Sequence, residues 1–195
     1  FNSEVNEEKL NGDWELIFAD VELFRSSPFF LAIEKALNDQ KRSDLFFKLH
    51  QLQVCSFGLS TIGKVSQKIN FTKREFISTF DTTIFGLTTI PIFGWFKLLP
   101  TFGGRVITLA NEISLNKNVL KMTLQKTKVS EVEGLKRIPI FSNLLMEKWY
   151  PVKNIWEKLP WNRNEPSLEV FIKYLDEDMR IVEDIYGSIF VYVRV

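Results

Sequence analysis

The chain has one cysteine, Cys55, and one histidine, His50. A single cysteine excludes an intramolecular disulfide and any cysteine-built metal site. A single histidine excludes multi-histidine metal centres and leaves one candidate base for a Ser-His or Cys-His arrangement. His50 follows Leu49 at the end of a helical pattern. Nothing nearby in sequence orients it, so a surface or capping role stands beside that of a base. Cys55 lies among Leu52, Val54 and Phe57 and reads as a small buried residue before it reads as a nucleophile. Charge of one sign is also missing. The formal net charge is +1, which gives no bulk field for nucleic acid and no acidic tail. Gly103-Gly104 is an isolated pair, with no GxGxxG or GxxxxGK phosphate loop. The longest uncharged run, Thr82 to Phe96, falls short of the roughly 18–20 apolar residues that span a bilayer.

What remains is apolar and aromatic. The 195 residues are 45% hydrophobic and 25% charged, as in a folded soluble or peripheral protein. This length predicts a single domain over 1–195. The start at Phe1 is that expected of a trimmed mature chain, with no cleavable targeting segment in view. The 18 Phe and 5 Trp suit both a β-barrel core and a membrane interface.

Alternation places the strands. Ser167 to Val195 reads as two strands joined by a charged turn, with Gly187 marking the restart. A final strand that ends the sequence is expected to pair inside a sheet, and Asp13 to Asp20 is its natural partner. Further strands are expected at Gln51 to Phe57, Gly63 to Thr72 and Glu75 to Phe85. Arg105 to Leu115 and Val119 to Val129 read as a hairpin about Asn116-Lys117-Asn118. Ser26, Ser27 and Pro28 open a helical insertion over 26–49, with Phe29, Phe30, Ile33, Ala36 and Leu37 at helical spacing. About eight strands with short turns predict a mainly β, antiparallel up-and-down barrel.

Its inner face is expected to carry Trp14, Leu16, Phe18, Val65, Ile69, Phe71, Phe80, Leu120, Met122, Leu124, Val170 and Ile172. An eight-stranded barrel is either filled by side chains or holds one small apolar ligand, and both readings stand. Two long apolar loops, 86–104 and 134–161, interrupt the pattern. They carry Ile92, Phe93, Trp95, Phe96, Leu98 and Leu99 in the first, and Phe141, Trp149 and Trp156 in the second. Long apolar loops are uncommon and usually functional. With Lys97, Lys148, Lys153 and Lys158 nearby, they suit docking on a membrane surface or a hydrophobic protein; the alternative is a satellite core over the barrel mouth.

Asp176, Glu177, Asp178, Glu183 and Asp184 form a carboxylate cluster. Counted from Asp176, the sixth residue is Ile181 and the twelfth Gly187, so a calcium loop of EF-hand type is excluded. A solvated turn with Arg180 bridging a nearby Asp is the plain reading, and acid–base catalysis the other.

The segments YLDEDMRIV and GSIFVYVRV, with LNGDWELIFAD, RSSPFF and IGKVSQKI before them in the same order, resemble the plastid lipid-associated family, also called fibrillins or plastoglobulins. The matched pieces span Leu10 to Val195. Phe18 stands where the family has Tyr, and Val182 to Tyr186 replace its Arg-Gly-Asp-like turn. The resemblance implies a lipocalin-like barrel in a plastid and marks Tyr174, Asp176, Asp178 and Arg180 as a family signature without a known reaction. It implies a non-enzymatic protein that binds a prenyl lipid, carotenoid or similar apolar molecule at thylakoid or plastoglobule surfaces. No catalytic residue and no metal are expected, and no cofactor beyond a bound lipid, quinone or carotenoid. Two alternatives remain open: a structural or assembly subunit docked on a photosystem or light-harvesting complex, and an enzyme acting on a lipid in the barrel.

Overall fold

The computed structural model describes residues 5–37, 39, 41–45, 47–48, 61–83, 86–89, 98–101, 104–130, 147–156 and 165–195. A four-residue helix, α1 (Glu7–Leu10), leads in, with Asn6 Oδ1 accepting from the Lys9 amide at 2.9 Å. Strand β1 (Gly12–Ala19) follows, then a 3-10 turn at Leu23–Ser26 and helix α2 (Pro28–Leu37). The next strands are β2 (Thr61–Asn70), β3 (Glu75–Thr83), β4 (Gly86–Thr89), β5 (Leu98–Thr101), β6 (Gly104–Asn116) and β7 (Val119–Ser130). The two-residue β8 (Tyr150–Pro151), helix α3 (Val152–Trp156), β9 (Ser167–Leu175), β10 (Met179–Glu183) and β11 (Ile189–Arg194) complete the chain.

Nine strands make one antiparallel sheet in the order β6-β3-β2-β1-β11-β10-β9-β7-β8, and β6 also pairs with β7. That last pairing curls the sheet into a ring of eight strands, each beside its chain neighbours, with β8 hung on the free edge of β7. The expected union of first and last strands is present: Trp14 lies opposite Arg194 and Phe18 opposite Val191. The edge that β7 shows beyond β9 is not left bare. The Leu124 amide donates to Pro166 O, β8 pairs at Lys126 and Thr127, and the Glu147 amide donates to Val129 O.

Alternation drives the inside. Val65, Gln67 and Ile69 on β2, Leu120, Met122 and Leu124 on β7, and Leu168, Val170 and Ile172 on β9 are all buried. Ile69 and the β7 and β9 residues form one core with Trp14, Phe76, Phe190 and Tyr192. A smaller cluster of Phe30, Phe47, Val65 and Phe80 joins α2 to the sheet. Helix α2 starts at Pro28, and Ser27 O accepts from the amides of Phe30 and Leu31. It lies across the ring end where β9 begins, where Lys35 Nζ donates to Ser167 O at 2.6 Å and Ser167 Oγ at 3.3 Å.

Several expectations need correction. The last 29 residues form three strands, not two, because Met179 to Glu183 pairs on both sides with β9 and β11. The first apolar loop, 86–104, contains the paired β4 and β5, on which Leu98 and Leu99 fall. The second, 134–161, contains β8 and α3, and Trp156 is 5% exposed within the main core instead of presented for docking. Phe18 does not line the interior. A register shift between Leu16 and Phe18 turns the end of β1 over, leaving Ile17 58% and Phe18 53% exposed. The expected strand over 51–57 lies outside the described residues, as do His50 and Cys55.

Candidate functional site: a buried guanidinium in an apolar ring

The interior is mostly apolar, with Ser78 and Thr108 among its buried polar residues, and charge enters it along one stripe. Arg180 enters it from β10, Gln67 from β2 and Tyr192 from β11, each on an inward position of its strand. Arg180 is 1% exposed. Its Nη2 donates to Gln67 Oε1. Gln67 Nε2 donates in turn to the Tyr192 hydroxyl at 2.9 Å and to Ser26 O at 3.4 Å. The guanidinium carbon lies 4.3 Å from the Tyr192 ring centroid and 4.9 Å from that of Trp14, within the range of cation–π attraction. Arg180 Nε has no partner, and no carboxylate pairs with the group among the described residues. The reading of Arg180 as a surface bridge to a nearby Asp is therefore overturned.

Burial pulls the Arg180 pKa down to about 10, with Tyr192 opposing and Arg194 adding to the fall. It remains a cation at neutral pH. Burial pushes the Tyr192 hydroxyl up to about 12, against the pull of Arg180 and the Gln67 hydrogen bond, so it stays neutral. The stripe is thus a fixed positive charge held by neutral dipoles.

A cavity of about 20 Å³ lies beside it. Ser26, Pro28 and Leu31 close it from the α2 side, and Phe76, Met122, Val170 and Phe190 are among the residues that make its apolar wall. That volume suits one water-sized molecule. Of the expected interior residues, Leu120, Met122 and Val170 line the cavity. Trp14, Val65, Ile69, Phe71, Phe80, Leu124 and Ile172 are buried around it, and Leu16 is half-buried. Gln67, Tyr192 and Ser26 were missed. Gln67 carried a signal, since it sits between Val65 and Ile69 on the inward face of β2.

The signature residues part company. Tyr174 donates to Asp176 Oδ2 at 2.7 Å, and Asp176 Oδ1 accepts from the amides of Asp178 at 2.9 Å and Met179 at 2.6 Å. Those bonds build the β9–β10 turn. They hold the Asp176 carboxyl below its ordinary range, the Tyr174 bond most of all, and push the Tyr174 hydroxyl up. Asp178 O accepts from the Arg194 amide. Asp184 is 2% exposed, not solvated as expected, and its Oδ1 caps the next turn by accepting from the Tyr186 and Ser188 amides. Only Arg180 of the set reaches the interior.

On the outside, Trp149 is 41% exposed, with Lys126 Nζ 4.6 Å and Lys128 Nζ 5.2 Å from its ring centroid. Ile92, Phe93, Trp95, Phe96 and Phe141 lie outside the described residues. Among the described residues, no group of three or more His, Cys, Asp or Glu could hold a metal, and no helix is long and apolar enough to cross a membrane. Comparison with family models, with curated proteins and with solved structures finds no match.

Proposed function

We propose that this chain is a non-enzymatic lipid-binding protein of the plastid. In this reading it is a lipocalin-like barrel that takes a prenyl lipid, carotenoid or similar apolar molecule into its ring and works at thylakoid or plastoglobule surfaces. One observation carries the reading: eight strands in chain order surround a mostly apolar cavity whose roof, Ser26 to Leu31, is not part of the ring. A ring of that strand number is filled by side chains or holds one small ligand, and a roof separate from the ring would let a ligand in by moving outward. Attachment to a lipid surface is supported by Trp149 between Lys126 and Lys128, an aromatic ring at headgroup depth with cations for anionic lipid. The plastid setting rests on the resemblance of YLDEDMRIV and its companion segments.

The test is mass spectrometry of an organic extract of the protein purified from its own membranes. A stoichiometric apolar compound is expected; an extract without one counts against the reading. The 20 Å³ cavity favours a second reading, a structural or assembly subunit docked on a membrane pigment–protein complex with a filled interior. An empty extract together with stoichiometric co-purification of such a complex selects that one.

A further inference from the structure

Among the described residues, Arg180 is a cation without a counter-charge. It is buried, its Nε is unpartnered, and its Nη2 meets only the neutral amide oxygen of Gln67. The Gln67 nitrogen is already committed to Tyr192 and Ser26. Trp14 and Tyr192 offer ring faces but no negative charge. A buried charge is costly unless paired, and this one borders the cavity.

We propose that the Arg180 guanidinium receives the carboxylate of a long-chain carboxylic acid, whose tail runs among Leu31, Phe76, Leu120, Met122, Val170 and Phe190. This rests on the lipid-binding reading and narrows it to an amphiphile with one negative charge. A planar guanidinium matches the two oxygens of a carboxylate. A phosphate would bring nearly two charges, and among the described residues lining the cavity Arg180 is the only cation. Arg194, the nearest candidate, is spent on the carbonyls of Lys9, Asn11 and Glu177. A neutral carotenoid or quinone would leave the Arg180 charge uncompensated.

The cavity as it stands holds a water-sized molecule, whereas ligand pockets run to roughly 300–1,000 Å³. Entry of the tail therefore requires the wall formed by Ser26, Pro28 and Leu31 to move outward. That movement has to release Leu31 and Ala32 from the main core and the Gln67 hydrogen bond to Ser26 O, while Arg25–Glu34 and Lys35 on Ser167 hold the rest of α2.

The experiment titrates the full chain at pH 8 with cis-parinaric acid, a fluorescent long-chain acid, and with its methyl ester. The acid is expected to bind once per chain and at least tenfold tighter than the ester. Arg180→Gln should bring the acid down to the affinity of the ester, and Arg180→Lys should retain part of the preference. Should Arg180→Gln fail to fold, the acid–ester comparison on the unaltered chain decides by itself. Equal affinities would overturn the carboxylate assignment and leave lipid uptake standing. Binding of neither compound would overturn both.

Discussion

Arg194 of β11 lies opposite Trp14 of β1, and its guanidinium carbon sits 4.3 Å from the centre of the Trp14 ring. This pair is the seam of the ring, where the ends of the chain meet. Trp14 is fully buried and its indole N–H donates to Leu10 O at 3.0 Å. Arg194 gathers Lys9 O and Asn11 O, each at 2.6 Å, so it ties α1 and the start of β1 to the last strand.

Gly12 is required at that seam. Its φ of +129° disfavours any side chain, and a Cβ there would run into Arg194 Nη1. Gly12→Ala should destabilise by about 1–3 kcal/mol in urea denaturation. Adding Arg194→Ala should remove the collision but leave the backbone strain, so the double variant should show a non-additive, smaller combined loss.

Two tryptophans in the same part of the chain should behave oppositely. Trp156 packs in the main core, so Trp156→Ala should cost about 3–5 kcal/mol of stability. Trp149 is exposed, so Trp149→Ala should leave stability within about 0.5 kcal/mol. The same change should weaken binding to anionic vesicles by roughly fivefold, the worth of about 1 kcal/mol of half-buried ring. Unchanged vesicle binding would remove Trp149 from the contact.

Two carboxyls should give opposite pH signatures. Asp176 is held below its ordinary 3.8, chiefly by the Tyr174 hydrogen bond. Its contribution to stability is present above 3.8 and is lost as pH falls through the lowered value. In a carboxyl carbon NMR titration, Tyr174→Phe should move the Asp176 midpoint upward. Glu34 is fully buried on α2. Burial pushes its carboxyl above 4.5, Arg25 pulls it back and Asp184 adds to the rise. Its contribution is therefore fully present below 4.5 and declines as pH rises through the raised value. The stability difference between the unaltered chain and Glu34→Gln should fall over that window, and a difference that grows with pH would contradict the assignment.

The regular walls were legible because their side chains alternate without interruption. Leu120, Met122 and Leu124 against Lys121, Thr123 and Gln125 leave one choice of inner face, and all three are buried. The pairing of β1 with β11 followed from strand logic at the chain ends. What escaped was whatever breaks alternation or charge rules. Arg180 stands among Asp176, Glu177 and Asp178, so β10 read as a solvated turn; its burial depends on Trp14, Gln67 and Tyr192, which arrive from three other strands. The bulge after Leu16 has no mark in the sequence, so Phe18 reads as an inward residue although it faces out. Trp156 read as a loop residue because Pro151 and Pro160 flank it, yet α3 fits between them and turns it inward.

Uptake of an apolar molecule into the ring is tested most directly at Met122, one of three methionines, which lines the cavity while Met179 does not. In methyl-labelled protein titrated with a short-chain prenylquinone or with cis-parinaric acid, the Met122 methyl resonance should shift and saturate at one ligand per chain, with Met179 nearly unmoved. A Met122 resonance that stays in place while either compound is bound, or that moves only in step with Met179, contradicts a ligand inside the ring.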